Sequence, residues 1–285
     1  MTAQFVRTDD KVELYVEETG DGPPVLFLHE FAGDWRSWEP QIRHLSRQYR
    51  CVAFNARGYP PSDVPAADAK YSQDRARLDA IAVMDALGLE RAHVVGHSMG
   101  AYTALHLGIR NRNRVRSIVA AGCGWGSNPA TREESARLAQ EIARMFRDDG
   151  IEAAARAYAD FPMRWPHRAK DPRGWAEFAR LLAEHSGEGM ALTMLNVQMK
   201  RPTLWDMEAE LKRLDAPVLV IVGDEDEPCL DGSVMLKRTI PSCALYVVPR
   251  AGHTINSEEP AAFNAALMEM FAAVDAGRWM AHKAR

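Results

Sequence analysis

The stretch that decides the fold runs Ala92-His93-Val94-Val95-Gly96-His97-Ser98-Met99-Gly100-Ala101-Tyr102-Thr103-Ala104-Leu105-His106-Leu107. An apolar run, a five-residue G-x-S-x-G segment and a helix-forming run follow one another, which reads as strand, tight turn and helix. A serine at such a turn needs a sharp, strained backbone, and the flanking glycines let neighbouring elements come close. Ser98 is then placed at the carboxyl end of a strand and the N-terminus of a helix. The helix dipole and free N–H groups there favour developing negative charge. A bare G-x-S-x-G is common by chance; its place between strand and helix makes Ser98 a candidate nucleophile.

A hydroxyl is a poor nucleophile unless an imidazole takes its proton and an acid orients that imidazole. Downstream, Val218-Leu219-Val220-Ile221-Val222 reads as a buried parallel strand. It ends in Gly223-Asp224-Glu225-Asp226-Glu227-Pro228, a turn with four candidate acids. A helical stretch from Ser233 to Ile240 and the strand Ala244–Val248 follow, and then Gly252-His253-Thr254. The order is serine, acid, histidine, each beyond a strand, which is the order of α/β-hydrolases. His253 is the candidate base, and Met99, the residue after the serine, is the candidate donor of one oxyanion-hole N–H. His97, inside the turn, reads first as a packing or locally bonded residue and second as a substrate contact. His93 and His106 fall inside strand and helix patterns, and His44, His167, His185 and His282 have no constellation around them. No histidine or cysteine spacing points to a metal, and no cofactor is expected.

The chain resembles the capped serine hydrolases of the α/β-hydrolase fold family, of the esterase, lipase and haloperoxidase-like kind, over nearly its whole length. The resemblance rests on His29 with Phe31 and Gly33, Asn55-Ala56-Arg57-Gly58-Tyr59 with Ser62, the Ser98 turn, Gly223-Asp224-Glu225-Asp226 and Gly252-His253. It implies a mostly parallel, eight-stranded type of sheet with helices on both faces and a helical cap. It also implies Asp226 as the acid, and Phe31 as the second oxyanion donor with its ring in the pocket. Two positions depart from the family. Glu30 stands where the family carries glycine, and Asn55 where it carries aspartate. We expect Glu30 to point away from the oxyanion or to pair with a cation, Arg57 being the candidate. Were it to face the pocket, it would favour a cationic substrate.

Strands and helices alternate on both sides of the turn. A ribbon about Val12–Val16 leads to the strand Val25–Leu28, and a helix over about 37–48 to the strand Cys51–Phe54. A helix over about 72–87 precedes the Ser98 strand, and Val115–Ala121 forms another strand. A helix from Pro260 to about Ala276 ends the pattern. This spacing implies a mostly parallel sheet, and ligands bind such sheets beyond the carboxyl ends of the strands. The alternation breaks between residues 127 and 205, where helical stretches occupy about 132–147, 151–160, 174–185 and 190–199. We therefore expect a core of residues 1–126 and 206–285 with a helical cap at 127–205. Trp125, Phe161 and Trp165 are candidate substrate contacts, with packing between helices as the alternative for the cap aromatics.

Composition sets the class. The 285 residues are 47% hydrophobic and 26% charged, as in a soluble globular protein, with a net charge of −4 that offers nothing to nucleic acid or an anionic membrane. No apolar run approaches a membrane span, and the first residues lack the apolar core of a signal peptide. The four cysteines show no paired spacing, so reduced thiols and a cytoplasmic setting are expected. The expected partner is a small-molecule substrate; a homodimer stays open. The leading expectation is hydrolysis of a small carboxylic ester through an acyl-enzyme. C–C bond hydrolysis of a diketone or dienoate and a non-catalytic small-molecule binding role are the alternatives, with cofactorless oxygen chemistry or perhydrolysis as minor ones.

Overall fold

The computed structural model describes residues 2–280. Among them, eight strands form one sheet: β1 (Thr2–Arg7), β2 (Glu13–Thr19), β3 (Pro24–Leu28), β4 (Arg50–Phe54), β5 (Ala92–His97), β6 (Val115–Ala121), β7 (Val218–Gly223) and β8 (Cys243–Val248). Their spatial order is β1-β2-β4-β3-β5-β6-β7-β8. The β1–β2 and β2–β4 pairs are antiparallel, and every pair from β4 to β8 is parallel. Strands β5 and β7 are buried at every position, because helices cover both faces; β7 shows this as an unbroken aliphatic run, whereas β5 buries His93 and His97 as well. β1 was not expected. Only Val6 of its six residues is buried, so it carries no hydrophobic pattern and is held by its ladder to β2.

The helices in chain order are α1 (Glu39–Leu45), α2 (Gln73–Ala86), α3 (Met99–Arg110), α4 (Arg132–Asp148), α5 (Ile151–Ala159), α6 (Trp165–Lys170), α7 (Pro172–Leu182), α8 (Gly187–Thr193), α9 (Glu208–Leu211), α10 (Glu227–Thr239), α11 (Ile255–Glu258) and α12 (Pro260–Asp275). Alternate residues of each strand feed two cores. Leu26, Val52, Val94 and Val220 pack under α2, α3 and α10, while Val25, Phe27, Val95 and Ile221 pack under α1 and α12. None of the described helices is long and apolar enough to cross a membrane.

The segment between β6 and β7 is helical, from α4 to α9, with no strand among its residues. It shares a third core with the loops above the sheet: Phe31, Tyr59 and Met99 meet Ile142, Phe146, Tyr158 and Met190. Two elements differ from expectation here. Trp165–Lys170 forms a separate short helix, and the stretch expected as one helix over 190–199 is α8 running into a π-turn at Met194–Gln198. Neither is written in a periodic apolar pattern, because α6 is one and a half turns long and a π-turn shifts the helical phase.

Candidate active site

Ser98 connects β5 to α3 at φ 50° and ψ −107°, in the left-handed half of the map that non-glycine residues seldom occupy. The strain is held from both sides. The Ser98 N–H donates to the Ala121 carbonyl at 2.8 Å. A Cβ on Gly100 would lie 2.0 Å from the Leu28 carbonyl oxygen, and one on Gly96 2.2 Å from the Gly100 oxygen. Both glycines are therefore dictated by close approach of backbone. Met99 opens α3, so its N–H has no helical partner. The Phe31 N–H likewise makes no bond within the loop.

The turn after β7 presents Asp226, and the loop after β8 presents His253. His253 Nδ1 lies 2.8 Å from Asp226 Oδ2, with both side chains buried. Bonding through Nδ1 places the proton there and leaves Nε2 free to accept one. The other three acids of the turn are exposed: Asp224 accepts from the Ala251 N–H, and Glu225 and Glu227 stand on the cavity wall. Ser98 and His253 line one cavity of about 340 Å³ together with Trp125, Tyr158, Phe161 and Gln198. The structure thus brings Ser98, Asp226 and His253 together and adds Trp125 and Phe161 to the same cavity. A smaller space of about 40 Å³, lined by His29, Met99 and Thr193 among others, has room for no substrate.

Several expectations are corrected. Glu30 pairs with Arg164, not with Arg57. Arg164 Nη1 and Nη2 donate to the two Glu30 oxygens at 3.0 and 2.7 Å, with both side chains buried. Arg57 instead bonds Asp79 and Asp10. Asn55 needs no charge: it accepts from the Trp35 N–H and donates to the Tyr59 and Pro60 carbonyls. The departures at positions 30 and 55 are therefore independent. Burial opposes ionisation of Glu30, but the Arg164 guanidinium outweighs it and holds the carboxyl well below its ordinary range. Glu30 Oε2 also lies 3.9 Å from His253 Nε2.

The Phe31 ring packs edge-on against Phe146 and Tyr158 and does not line the cavity; Tyr158 takes that wall. The Tyr59 hydroxyl holds the Phe31 carbonyl at 2.8 Å. His97 also lies outside the cavity. Its Nε2 is 2.7 Å from the His253 carbonyl oxygen, and because a carbonyl only accepts, that nitrogen carries the proton. Burial lowers the His97 pKa to about 4, so the ring is neutral and braces the His253 backbone. Trp165 is 55% exposed, donates to the Asp160 carbonyl and lies outside the cavity. Its position at the start of α6 turns it outward, while Arg164 just before it turns in.

Arg164, Tyr158 and Gln198 were missed by sequence reasoning. An arginine in an arginine-rich helical region carries no local sign of burial; only the unmatched Glu30 hinted at a cation. Asp226, Cys229 and His253 offer ligand atoms within 4.8 Å of one another. The Cys229 thiol donates to the Gly122 carbonyl, and burial and then the Asp226 charge push its pKa well up, which disfavours the thiolate a metal would need.

A sequence profile for the alpha/beta hydrolase fold matches residues 23–260. The chain belongs to this family. It is an enzyme of the α/β-hydrolase class. A Bacillus subtilis protein named as a 2-succinyl-6-hydroxy-2,4-cyclohexadiene-1-carboxylate synthase is 26% identical over 94% of this chain and 98% of its own length. A Shigella flexneri protein named as the carbamate hydrolase RutD is 30% identical over 93% of this chain and 97% of its own. Among solved structures, the enol-lactonase from Burkholderia xenovorans LB400 superposes with a TM-score of 0.82 at 21% identity, covering 94% of this chain and 100% of that one. As an α/β-hydrolase, the chain carries its candidate residues at the carboxyl ends of β5, β7 and β8, where ligands bind in open α/β sheets.

Proposed function

We propose that this α/β-hydrolase cleaves small carboxylic esters through a Ser98–His253–Asp226 triad. The observation that carries the reading is the 2.8 Å His253–Asp226 bond beside a strained serine on the same cavity. Ser98 Oγ attacks the ester carbonyl carbon as its proton passes to His253 Nε2. The Met99 and Phe31 N–H groups receive the charge that develops on the carbonyl oxygen. Collapse breaks the C–O bond, and the imidazolium returns its proton to the departing alcohol. A water then gives its proton to His253 and attacks the acyl carbon, releasing acid and free Ser98. Asp226 holds the imidazole in the required tautomer and offsets its charge at each protonation.

Residues 127–205 act as the cap that excludes water and shapes the acyl pocket, with Trp125 and Phe161 on its walls. Arg164 neutralises Glu30, so a carboxylate near the oxyanion site does not oppose the transition state. Among the relatives, the names carbamate hydrolase and enol-lactonase both describe attack at a carbonyl carbon, which is the same first step. The test is turnover of an aryl-ester panel of graded acyl length by wild type and Ser98→Ala. The variant should fold normally and lose activity by several orders of magnitude. Retention of more than a small fraction by a folded variant contradicts the assignment. Turnover of vinylogous diketones without turnover of esters would move the substrate class to C–C cleavage.

A further inference from the structure

Behind the cavity-lining Gln198 lies a buried cation with no ion-pair partner among the described residues. Arg201 is 3% exposed, and among the described residues no carboxylate lies within ion-pair distance of it. Its guanidinium lies 3.6 Å over the Tyr102 ring, donates to the Trp125 carbonyl at 2.9 Å, and donates to Gln198 Oε1. Burial pulls its pKa down, and no carboxylate acts to restore it. A buried arginine usually has an anionic partner, because an uncompensated charge in a low dielectric is costly.

Gln198 turns that charge toward the cavity. It is the last residue of the π-turn, and with Met194, four positions earlier, it lines the wall. π-Turns are often retained at functional sites despite their poorer geometry. A guanidinium has donors only, so the amide oxygen must face Arg201 and the NH2 group must face away from it. Gln198 is 4% exposed, yet among the described residues no acceptor bonds its Nε2. An oriented, buried amide donor backed by an unneutralised guanidinium is left open to whatever fills the cavity.

We infer that Gln198 is a specificity-determining residue that donates to a carboxylate carried by the substrate, with Arg201 as its positioning residue. Glu225 and Glu227 also stand on the cavity wall, but they are exposed and screened by solvent, whereas Arg201 is not. Glu30 is neutralised by Arg164. Asp226 is also buried, but it is bonded to the His253 Nδ1–H and does not line the cavity, so the field beside Gln198 favours an anion. This deepens the proposed ester hydrolysis and rests on that cavity being the substrate site. It narrows the substrate to half-esters of dicarboxylic acids or esters of similar acidic character.

The experiment is equilibrium binding to the Ser98→Ala protein, in which turnover is blocked. The ligands are monomethyl succinate, glutarate and adipate, each against the isostere in which isopropyl replaces the carboxylate. The parent should prefer the best acid ester by about 10-fold or more, and Gln198→Leu should cut that preference about 10- to 100-fold, as expected for a hydrogen bond to a charged group. Gln198→Glu keeps the side-chain shape and an oxygen for Arg201 but removes the donor and its field, and should abolish the preference as well. It also serves if the leucine variant fails to fold. No preference in the parent, or a preference untouched by either substitution, overturns the inference. If the preference and its loss are found while wild type hydrolyses none of the esters, ester hydrolysis fails and the role of Gln198 stands. If wild type hydrolyses esters with no acid preference, only the role of Gln198 fails.

Discussion

Glu30 stands where the family resemblance implies glycine, and its energetics follow from its burial. An exposed ion pair contributes about 0–1 kcal/mol, but a buried one behaves differently. Removing one partner strands an uncompensated charge, whereas replacing both by apolar groups can be neutral. Glu30 and Arg164 are both buried, and the Arg164 guanidinium also lies over the Phe178 and Tyr158 rings at 4.5 and 5.2 Å. Arg164→Met should therefore destabilise the protein by about 3–5 kcal/mol, with the double variant Glu30→Met/Arg164→Met recovering most of the loss. Denaturant unfolding of the three proteins checks this. A loss below about 1 kcal/mol in the single variant would mean that water reaches the pair. The sign with pH follows from the depressed Glu30 carboxyl. Its contribution is complete above its ordinary value of 4.5 and is lost as pH falls below it.

At the scale of elements, the Ser98 turn is where sequence and structure agree most closely, because its requirements are local. Strand β5, the G-x-S-x-G turn and α3 each follow from residues within a few positions, and both glycines answer contacts of about 2 Å. Gly100→Ala should perturb this turn more than a helix-interior substitution normally does, since its Cβ has no rotamer and the atom in its way is the Leu28 backbone oxygen at 2.0 Å. The expected outcome is loss of esterase turnover together with a lowered melting temperature, measured beside Gly88→Ala. Gly88 meets nothing within 4 Å, although its φ of 64° also strains a Cβ. Gly100 itself has an ordinary helical backbone, so effects no larger there than at Gly88 would contradict close approach as the reason for Gly100. The partners that act across the chain were less legible. Glu30 and Arg164 are 134 residues apart, and His97 reaches the His253 carbonyl over 156. No periodicity marks such contacts. The family resemblance implied both Asp226 and Phe31; Asp226 bonds His253, whereas the Phe31 ring packs against Phe146 and Tyr158 of the helical segment and not into the cavity.

At the scale of the whole molecule, burial of neutral histidines sets the response to acid. His93, His97, His167 and His185 are all buried, and desolvation lowers each from 6.5 to about 4. The unfolded chain binds these protons near pH 6.5 and the folded chain only near pH 4. The stability they contribute is therefore present above pH 6.5 and lost as pH falls through that interval. At pH 5, unfolding should take up about three to four protons from these groups alone, so stability should fall steeply there. Calorimetric melting from pH 7.5 to 4.5 should show a plateau above 6.5 and a steep decline below. A melting temperature unchanged between pH 6.5 and 5 would mean that these rings protonate within the fold.

Activation of the Ser98 hydroxyl by His253 and Asp226 makes it reactive toward a covalent probe. Incubation with a fluorophosphonate, followed by intact-mass measurement and peptide mapping, should give one adduct, on Ser98. Ser98→Ala should give none. Asp226→Asn, in which the amide cannot hold the His253 tautomer, should slow labelling on the order of 10⁴-fold, while Asp224→Asn labels at close to the wild-type rate. An unlabelled Ser98 in folded protein, or equal labelling rates for wild type and Asp226→Asn, would contradict the account.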